Sequence, residues 1–486
     1  MVPGDILLIP RNHHSWKSRH TRSKGCPRLD HGSLGWRCFL GNKIKHPVLF
    51  PGIRFLAKTK PEERKNGMLI KTILNRVHKQ GNFVYGETRW VERDLGRLGL
   101  EVKLRRRSNS LPICSGCCKS RSGYDRLPER RFEFVPLWGI AVFFLYAMSR
   151  VNCPECGVKV ERVPWVQGKH QLTTSYAWFL SGWAKRLSWK EVAGVFHTSW
   201  ESVMRSVKVA VAWGLEHRNL DGIRAIGVDE IAWGKGHQKY ATLVYQIDAE
   251  SKRLLWIGRK RTEATIRKFF NWLGEERSAG LRFICSDMWK PYLKVIAKKA
   301  TNAINVLDRF HIMSKMSKAI DDVRAKEVKE LKAKGKAPVL TQTRWCLLKR
   351  PENLTENQHI RLAELLRCNL KTVRAYLLKE DFQFFWSYVS PAWAGKFLDD
   401  WCKRTMKSRI KPMKKVAKML RAHRSLLLNW FRAKGRIALG AVEGFNNKAK
   451  ATTKRSYGFR TYDILEIALY HTLGNLPEPY VTHKFC

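Results

Sequence analysis

Two short apolar runs along the chain each close on an aspartate: Ile223 to Val228 ahead of Asp229, and Leu281 to Cys285 ahead of Asp287. Runs of this length bounded by polar residues predict buried strands, which puts each acid at the C-terminal end of one. Between them the pattern predicts a strand over 239–247, a turn at 248–251, a strand over 252–257 and an amphipathic helix over 262–276. Past Asp287 it predicts a helix over 289–300, a short strand over 303–308 and a further helix. The fold class that follows is α/β, with chemistry presented at strand ends. Glu230, next to Asp229, is expected on the opposite face of its strand.

Residues 1–67 are polar and rich in Arg, His, Gly and Pro, with no sustained period; they read either as an extension ahead of a natural start at Met68 or as a basic DNA-binding arm. From Met68 the character changes. Leu69, Ile70, Ile73, Leu74 and Val77 fit a short helix, Phe83 to Trp90 a strand, and 132–137 with 140–150 a strand hairpin. The segment 68–165 is therefore one unit. Residues 166–218 are mostly helical, with capping boxes expected at Ser188/Glu191 and Thr198/Glu201 across a turn at His197. Val192, Val195 and Phe196 are expected to pack one helix, and Val203, Val207 and Ala210 the next. This spacing suits a helix-turn-helix that lays Ser199, Trp200, Ser202 and Arg205 in a DNA major groove, with a plain helical linker as the alternative.

A third acid, Glu443, stands in AVEGFNNKAK (441–450). Seven residues at about 100° each return Lys450 to its face of a helix. Only 58 residues separate Asp229 from Asp287, whereas 156 separate Asp287 from Glu443. Something is inserted. Residues 313–430 are rich in Lys and Arg and periodic as helices, so a core over 219–312 is expected to be interrupted by an all-helical insertion and completed by 431–486. Within it, 407–432 reads as one basic amphipathic helix. Trp345, flanked by Arg344, Lys349 and Arg350, could stack on an unpaired base, with core packing the plainer role for tryptophans of this segment.

Charge sharpens the picture: 92 Lys and Arg against 41 Asp and Glu give a net charge of +51 in 486 residues. A surface so positive favours a polyanion, and counterions released from double-stranded DNA would supply much of the affinity for it. A membrane is disfavoured, because the longest apolar run, Val135 to Met148, is interrupted by Pro136 and Gly139 and falls short of a span of roughly 20 residues. MVPGDILLIP lacks the features of a signal peptide, so a cytoplasmic, nucleoid-associated protein is expected. Its 12 cysteines are then expected to be thiols or zinc ligands. Two Cys-x-x-Cys pairs, Cys114/Cys117 and Cys153/Cys156, have the spacing of one structural zinc site, with Cys118 offering another register and buried free thiols the plainer reading.

The motifs GVDE (227–230), CSDMWKPY (285–292), AVEGFNNKAK (441–450) and CPECGVKVERVPW (153–165) together resemble the ISL-three family of bacterial insertion-sequence DDE transposases, from about Met68 to Tyr480. The resemblance implies a ribonuclease-H-like catalytic domain, interrupted by the helical insertion and preceded by a zinc ribbon and a helix-turn-helix. It implies that Asp229, Asp287 and Glu443 hold two Mg²⁺ or Mn²⁺ ions, whose hardness explains why carboxylates are used. Lys450 and Asn447 would meet the terminal DNA phosphates, and Asp308 with His311 in LDRFHI would help place the DNA; otherwise that pair is a helix cap and a surface group. Leu439 stands where the family often has an arginine. The implied activity is cleavage at transposon ends and strand transfer into target DNA, by a homodimer on paired ends, with no nucleotide cofactor. Two other readings share the motifs: a DNA-binding regulator with a dead nuclease domain, and another ribonuclease-H-like nuclease.

Overall fold

The computed structural model describes residues 69–93, 96–234, 239–336, 339–434, 440–456 and 458–479. The expectations for residues 1–67 and Leu439 lie outside them. After helix α1 (Ile70–Val77) comes a sheet of five strands: β1 (Phe83–Arg93), β2 (Arg97–Arg106), β3 (Gly123–Leu137), β4 (Ile140–Cys153) and β5 (Gly157–Val160). Their order is β1-β2-β4-β3, with β5 also on β4, and only β2 with β4 is parallel. The β3–β4 hairpin is longer than the sequence pattern indicates. Trp138 and Gly139 both take positive φ, 50° and 81°, the two-residue turn whose twist matches that of the strands. The sheet packs around buried Trp165, which sits edge-on to Phe83 and Tyr146.

Three helices follow, α2 (Thr174–Ala184), α3 (Trp189–Val195) and α4 (Trp200–His217). The capping box of Ser188 and Glu191 opens α3 as expected. The second cap falls one residue late: Ser199, not Thr198, accepts the Ser202 N–H. His197 adopts φ 50° and the Thr198 N–H returns to the Ala193 carbonyl, so the turn consumes one more residue. Val192, Val203, Val207 and Ala210 are buried between these helices, but Val195 is 57% exposed.

The next sheet comprises β6 (Ala225–Ala232), β7 (Tyr240–Ile247), β8 (Lys252–Arg259), β9 (Phe283–Ser286) and β10 (Ile304–Leu307), in the order β10-β9-β6-β7-β8. The three strands in series are antiparallel, whereas β9 and β10 run parallel to β6. Strand alternation divides the two faces. Ile226 and Val228 pack against α5 (Glu263–Leu273) and α7 (Lys290–Lys299), while Leu243, Tyr245 and Ile247 pack against α15 (Ala441–Arg455) and α16 (Tyr462–Leu473). The helix expected over 262–276 stops at Leu273, because Gly274 takes φ 87°, and α6 (Glu275–Gly280) starts anew.

Between β10 and α15 the described residues are helical: α8 (Arg309–Ala333), α9 (Arg344–Leu348), α10 (Glu356–Leu366), α11 (Lys371–Gln383), α12 (Pro391–Lys407), α13 (Lys411–Ala422) and α14 (Arg424–Ala433). They have their own core, built on Met316, Phe382, Phe385, Trp401 and Leu420. The single helix expected over 407–432 is instead two, α13 and α14, broken at His423 with φ −115° and ψ 20°. α14 lies along β10, where Asn429 Nδ2 donates to the Asn305 carbonyl at 2.8 Å and covers part of the sheet edge.

Candidate active site and metal-binding clusters

The strand register brings three acids to one level. Gly227 pairs with Cys285, and Cys285 with Val306. Two residues further along each strand stand Asp229, Asp287 and Asp308, so three neighbouring parallel strands each deliver an aspartate at the same end of the sheet. Asp308 also caps α8, accepting the Phe310 N–H at 2.8 Å. One turn into that helix, His311 Nε2 lies 3.5 Å from Asp229 Oδ2 and 3.8 Å from Asp308 Oδ2. Asp229, Asp308 and His311 each offer a ligand atom within 4.8 Å of the others. Two carboxylates and an imidazole suit a divalent cation such as Mn²⁺. Hydrogen bonding to Asp229 raises the His311 pKa against the opposing pull of burial. Burial raises that of Asp308, opposed by the Phe310 N–H and His311, while Glu443 adds to the rise from a distance.

Asp287 is engaged differently. Its Oδ1 accepts the Trp289 N–H at 2.9 Å, and its Oδ2 accepts Arg261 Nη2 at 2.5 Å. Arg261 Nε also lies 2.9 Å from Glu230 Oε1, an ion pair without the alignment of a hydrogen bond, and the guanidinium sits over the Trp289 ring at 4.7 Å. Burial, reinforced by the Asp287 charge, pushes the Glu230 carboxyl up to about 7 despite Arg261. Glu230 thus reaches Asp287's partner rather than Asp229's surroundings. A cation bound by Asp287 would share that carboxylate with Arg261 or displace it.

Glu443 lies in the first turn of α15, exposed, as are Asn447 and Lys450 further along the helix. The polar side chain of α15 that reaches the acids is Asn446, whose Nδ2 donates to Asp229 Oδ2. The signal for it was present: Val442, Asn446 and Ala449 are the buried positions of an i, i+4, i+7 stripe, and Asn446 is the polar member. Arg261 had no comparable signal.

The four thiols Cys114, Cys117, Cys153 and Cys156 converge with their Sγ atoms within 4.8 Å of one another, and Cys117 Sγ is 3.6 Å from Cys153 Sγ. Spacings of this size are what four thiolates about 2.3 Å from a central ion require. A methyl group at Gly116 would lie 2.7 Å from Cys156 Sγ, so the loop closes on the cluster only with glycine there. Cys118 is exposed, with Arg162 Nη1 3.1 Å from its sulfur, and is no part of the cluster. Burial pushes the Cys153 thiol up, but the Glu155 and Cys156 N–H groups and the neighbouring thiols outweigh it and hold it at about 6.

Of the other expected DNA contacts, Ser202 and Arg205 line a cleft of about 540 Å³ together with Lys169 and His170. Ser199 lines it too, but its hydroxyl is the α4 cap. Trp200 leans on Trp189, with ring centroids 6.0 Å apart. Trp345 is 55% exposed beneath the Arg344 guanidinium, whereas Trp386 and Trp401 are core. No helix among the described residues is long and apolar enough to cross a membrane.

Comparison with known proteins identifies the family of the chain. The chain is 28% identical over 351 residues, 72% of its length and 85% of the relative's, to the transposase for insertion sequence element IS1001 of Bordetella parapertussis. It is 29% identical over 405 residues, 77% of its length and 89% of the relative's, to the transposase for insertion sequence element IS1557 of Mycobacterium tuberculosis. The profile of the ISL-three DDE family, described as transposase, matches residues 226–469, half of the chain, from within β6 to within α16, a stretch that includes Asp229, Asp287, Asp308 and Glu443. The protein belongs to the ISL-three family of insertion-sequence transposases.

Proposed function

We propose that this transposase binds the terminal inverted repeats of its insertion sequence and cleaves and joins DNA at the acids of β6, β9 and α15, on a ribonuclease-H-like sheet. The observation that carries the reading is the level register of Asp229, Asp287 and Asp308 at one sheet end, with α15 docked over the same face. Asp229, Asp287 and Glu443 are the ligands for Mg²⁺ or Mn²⁺, with Asp308 and His311 beside Asp229. Bound there, such cations activate a nucleophilic oxygen and stabilise the leaving one.

In the first step water adds to phosphorus at the transposon end, the P–O3′ bond breaks, and a free 3′-hydroxyl and a 5′-phosphate remain. In the second that 3′ oxygen forms a bond to a target phosphorus and displaces the target's own 3′ oxygen. One P–O bond forms as one breaks, so no nucleotide cofactor is consumed. Asp229 and His311 are close enough to share a proton at Nε2. Lys450 and Asn447, exposed along α15, grip terminal phosphates.

The Cys114, Cys117, Cys153 and Cys156 cluster is a structural zinc site, and α2 to α4 form a DNA-reading helix-turn-helix with Ser202 and Arg205 at the groove. Paired ends are held by a homodimer.

Nicking of a labelled transposon end in Mg²⁺ or Mn²⁺ tests the reading. Asp229→Asn, Asp287→Asn and Glu443→Gln should each lose cutting by at least about 100-fold, the scale of a lost transition-state charge contact, while end binding persists. His311→Ala should be impaired. Full cutting by Glu443→Gln would falsify its assignment and pass the third place to Asp308. A regulator with a dead nuclease domain would not nick at all, and a nuclease of another kind would nick without joining strands.

A further inference from the structure

Besides His311, 3.5 Å from its Oδ2, the Asp229 carboxylate is held from two sides. Its Oδ1 accepts the Glu230 N–H at 2.7 Å, and its Oδ2 accepts Asn446 Nδ2. Asn446 Oδ1 in turn accepts the Tyr245 hydroxyl at 3.0 Å. All three side chains are buried, Tyr245 completely. We propose that Tyr245 and Asn446 form a positioning relay that sets the Asp229 carboxylate for cation binding and makes that setting depend on the seating of α15. The proposal rests on the reading of Asp229 as a metal ligand.

The chemistry allows only one orientation of the amide. Were it reversed, Asn446 Oδ1 would face a carboxylate oxygen at hydrogen-bonding distance with no proton between them, in a buried place where unpaired polar contacts are costly. With Nδ2 committed to Asp229, the Tyr245 hydroxyl has an acceptor in front of it and donates. The Phe445 ring, stacked on Tyr245 with centroids 4.8 Å apart at 13°, keeps the phenol from swinging away.

Backbone geometry explains why these residues can meet. Tyr245 pairs with Gly227 across β6 and β7, two positions from the Asp229–Leu243 pair, so it shares a sheet face with Asp229. A methyl group at Gly227 would lie 2.3 Å from Val442 Cγ2, so α15 approaches β6 this closely only because residue 227 has no side chain. One turn after Val442, Asn446 then falls over Asp229. The helix that carries Glu443 and Lys450 is therefore wired to the first acid of the site through a side chain 217 residues away in sequence.

Mn²⁺ binding to the zinc-loaded full chain, measured by calorimetry without DNA, tests the relay separately from catalysis. Asp229→Asn should abolish binding. Asn446→Ala should weaken it about 10- to 100-fold, the scale of a hydrogen bond to a charged group. Tyr245→Phe, which removes one oxygen and leaves the packing intact, should weaken it severalfold, and adding it to Asn446→Ala should weaken binding no further, because the two act as one unit. Metal-free binding of the transposon end should not change in either variant. Wild-type Mn²⁺ affinity in Tyr245→Phe and Asn446→Ala, with Asp229→Asn inactive in binding, would overturn the relay and leave the ligand assignment standing. Additive losses would also overturn it, as independent packing defects. Wild-type affinity in Asp229→Asn would overturn the ligand reading and the relay with it.

Discussion

Replacing Gly116 by alanine puts a methyl group where the four-cysteine cluster has no room. Its carbon would lie 2.7 Å from Cys156 Sγ, 3.1 Å from Cys156 Cβ and 3.7 Å from Cys114 Sγ. Carbon and its neighbours normally settle at roughly 3.5–4 Å, so Cys156 must retreat by about 1 Å. A metal–sulfur bond tolerates a departure of only about 0.2 Å. Either one thiolate leaves the ion or the loop reforms around it. Structural zinc is bound with about 10–16 kcal/mol at neutral pH, and one ligand in four then accounts for about 2.5–4 kcal/mol, or zinc affinity lower by about 10²- to 10³-fold. Competition with a metallochromic chelator, alongside zinc analysis, reads this directly. Gly123→Ala is the control, since its nearest contact, Pro112 Cγ at 3.9 Å, is an ordinary one. If Gly116→Ala held zinc as tightly as the unaltered chain, the four cysteines would not be converging on one ion.

Two further outcomes follow from the sheet of β6 to β10. Glu230 has its pKa raised by burial and by Asp287 to about 7, above the ordinary value of 4.5, so the stability it contributes is full below about pH 4.5 and is lost as pH rises through 7. With zinc present but no Mg²⁺ or Mn²⁺, Glu230 should contribute a fall in stability across that window of up to about 3 kcal/mol, and Glu230→Gln should lessen the fall by that share; urea unfolding at pH 5 and pH 8 with the same pH difference in both proteins would refute this. Gly227→Ala drives a methyl group into Val442 and should cost about 1–3 kcal/mol as overpacking, with loss of end cleavage as α15 lifts; Val442→Ala in the same chain should restore both melting temperature and cutting, and a failure of that rescue would detach the defect from α15.

Much of this protein was legible along the chain. Apolar runs ahead of Asp229 and Asp287 mark buried strands because burial and alternation are local properties, visible in a window of a few residues, although β6 does not end at Asp229 as expected but continues to Ala232. Paired cysteines at two tight turns announce a convergent cluster for the same reason, and the 156 residues before Glu443 announce an insertion because no single connection is that long. Element ends were less legible. Positive φ at His197 and Gly274, and the break at His423, moved a cap and divided two helices by conformations of single residues.

What the tertiary structure alone decided is which polar groups meet. Strand register sets Asp308 level with Asp229 and Asp287, and register depends on pairing between segments, not on either segment's own pattern. Arg261 reaches Asp287, and Asn446 reaches Asp229, across 26 and 217 residues of chain. The first contact joins the loop after β8 to the loop after β9, the second depends on where α15 docks, and that docking depends in turn on the missing side chain of Gly227. Hydrophobic periodicity shows that Asn446 faces inward; only packing shows that what it faces is a carboxylate.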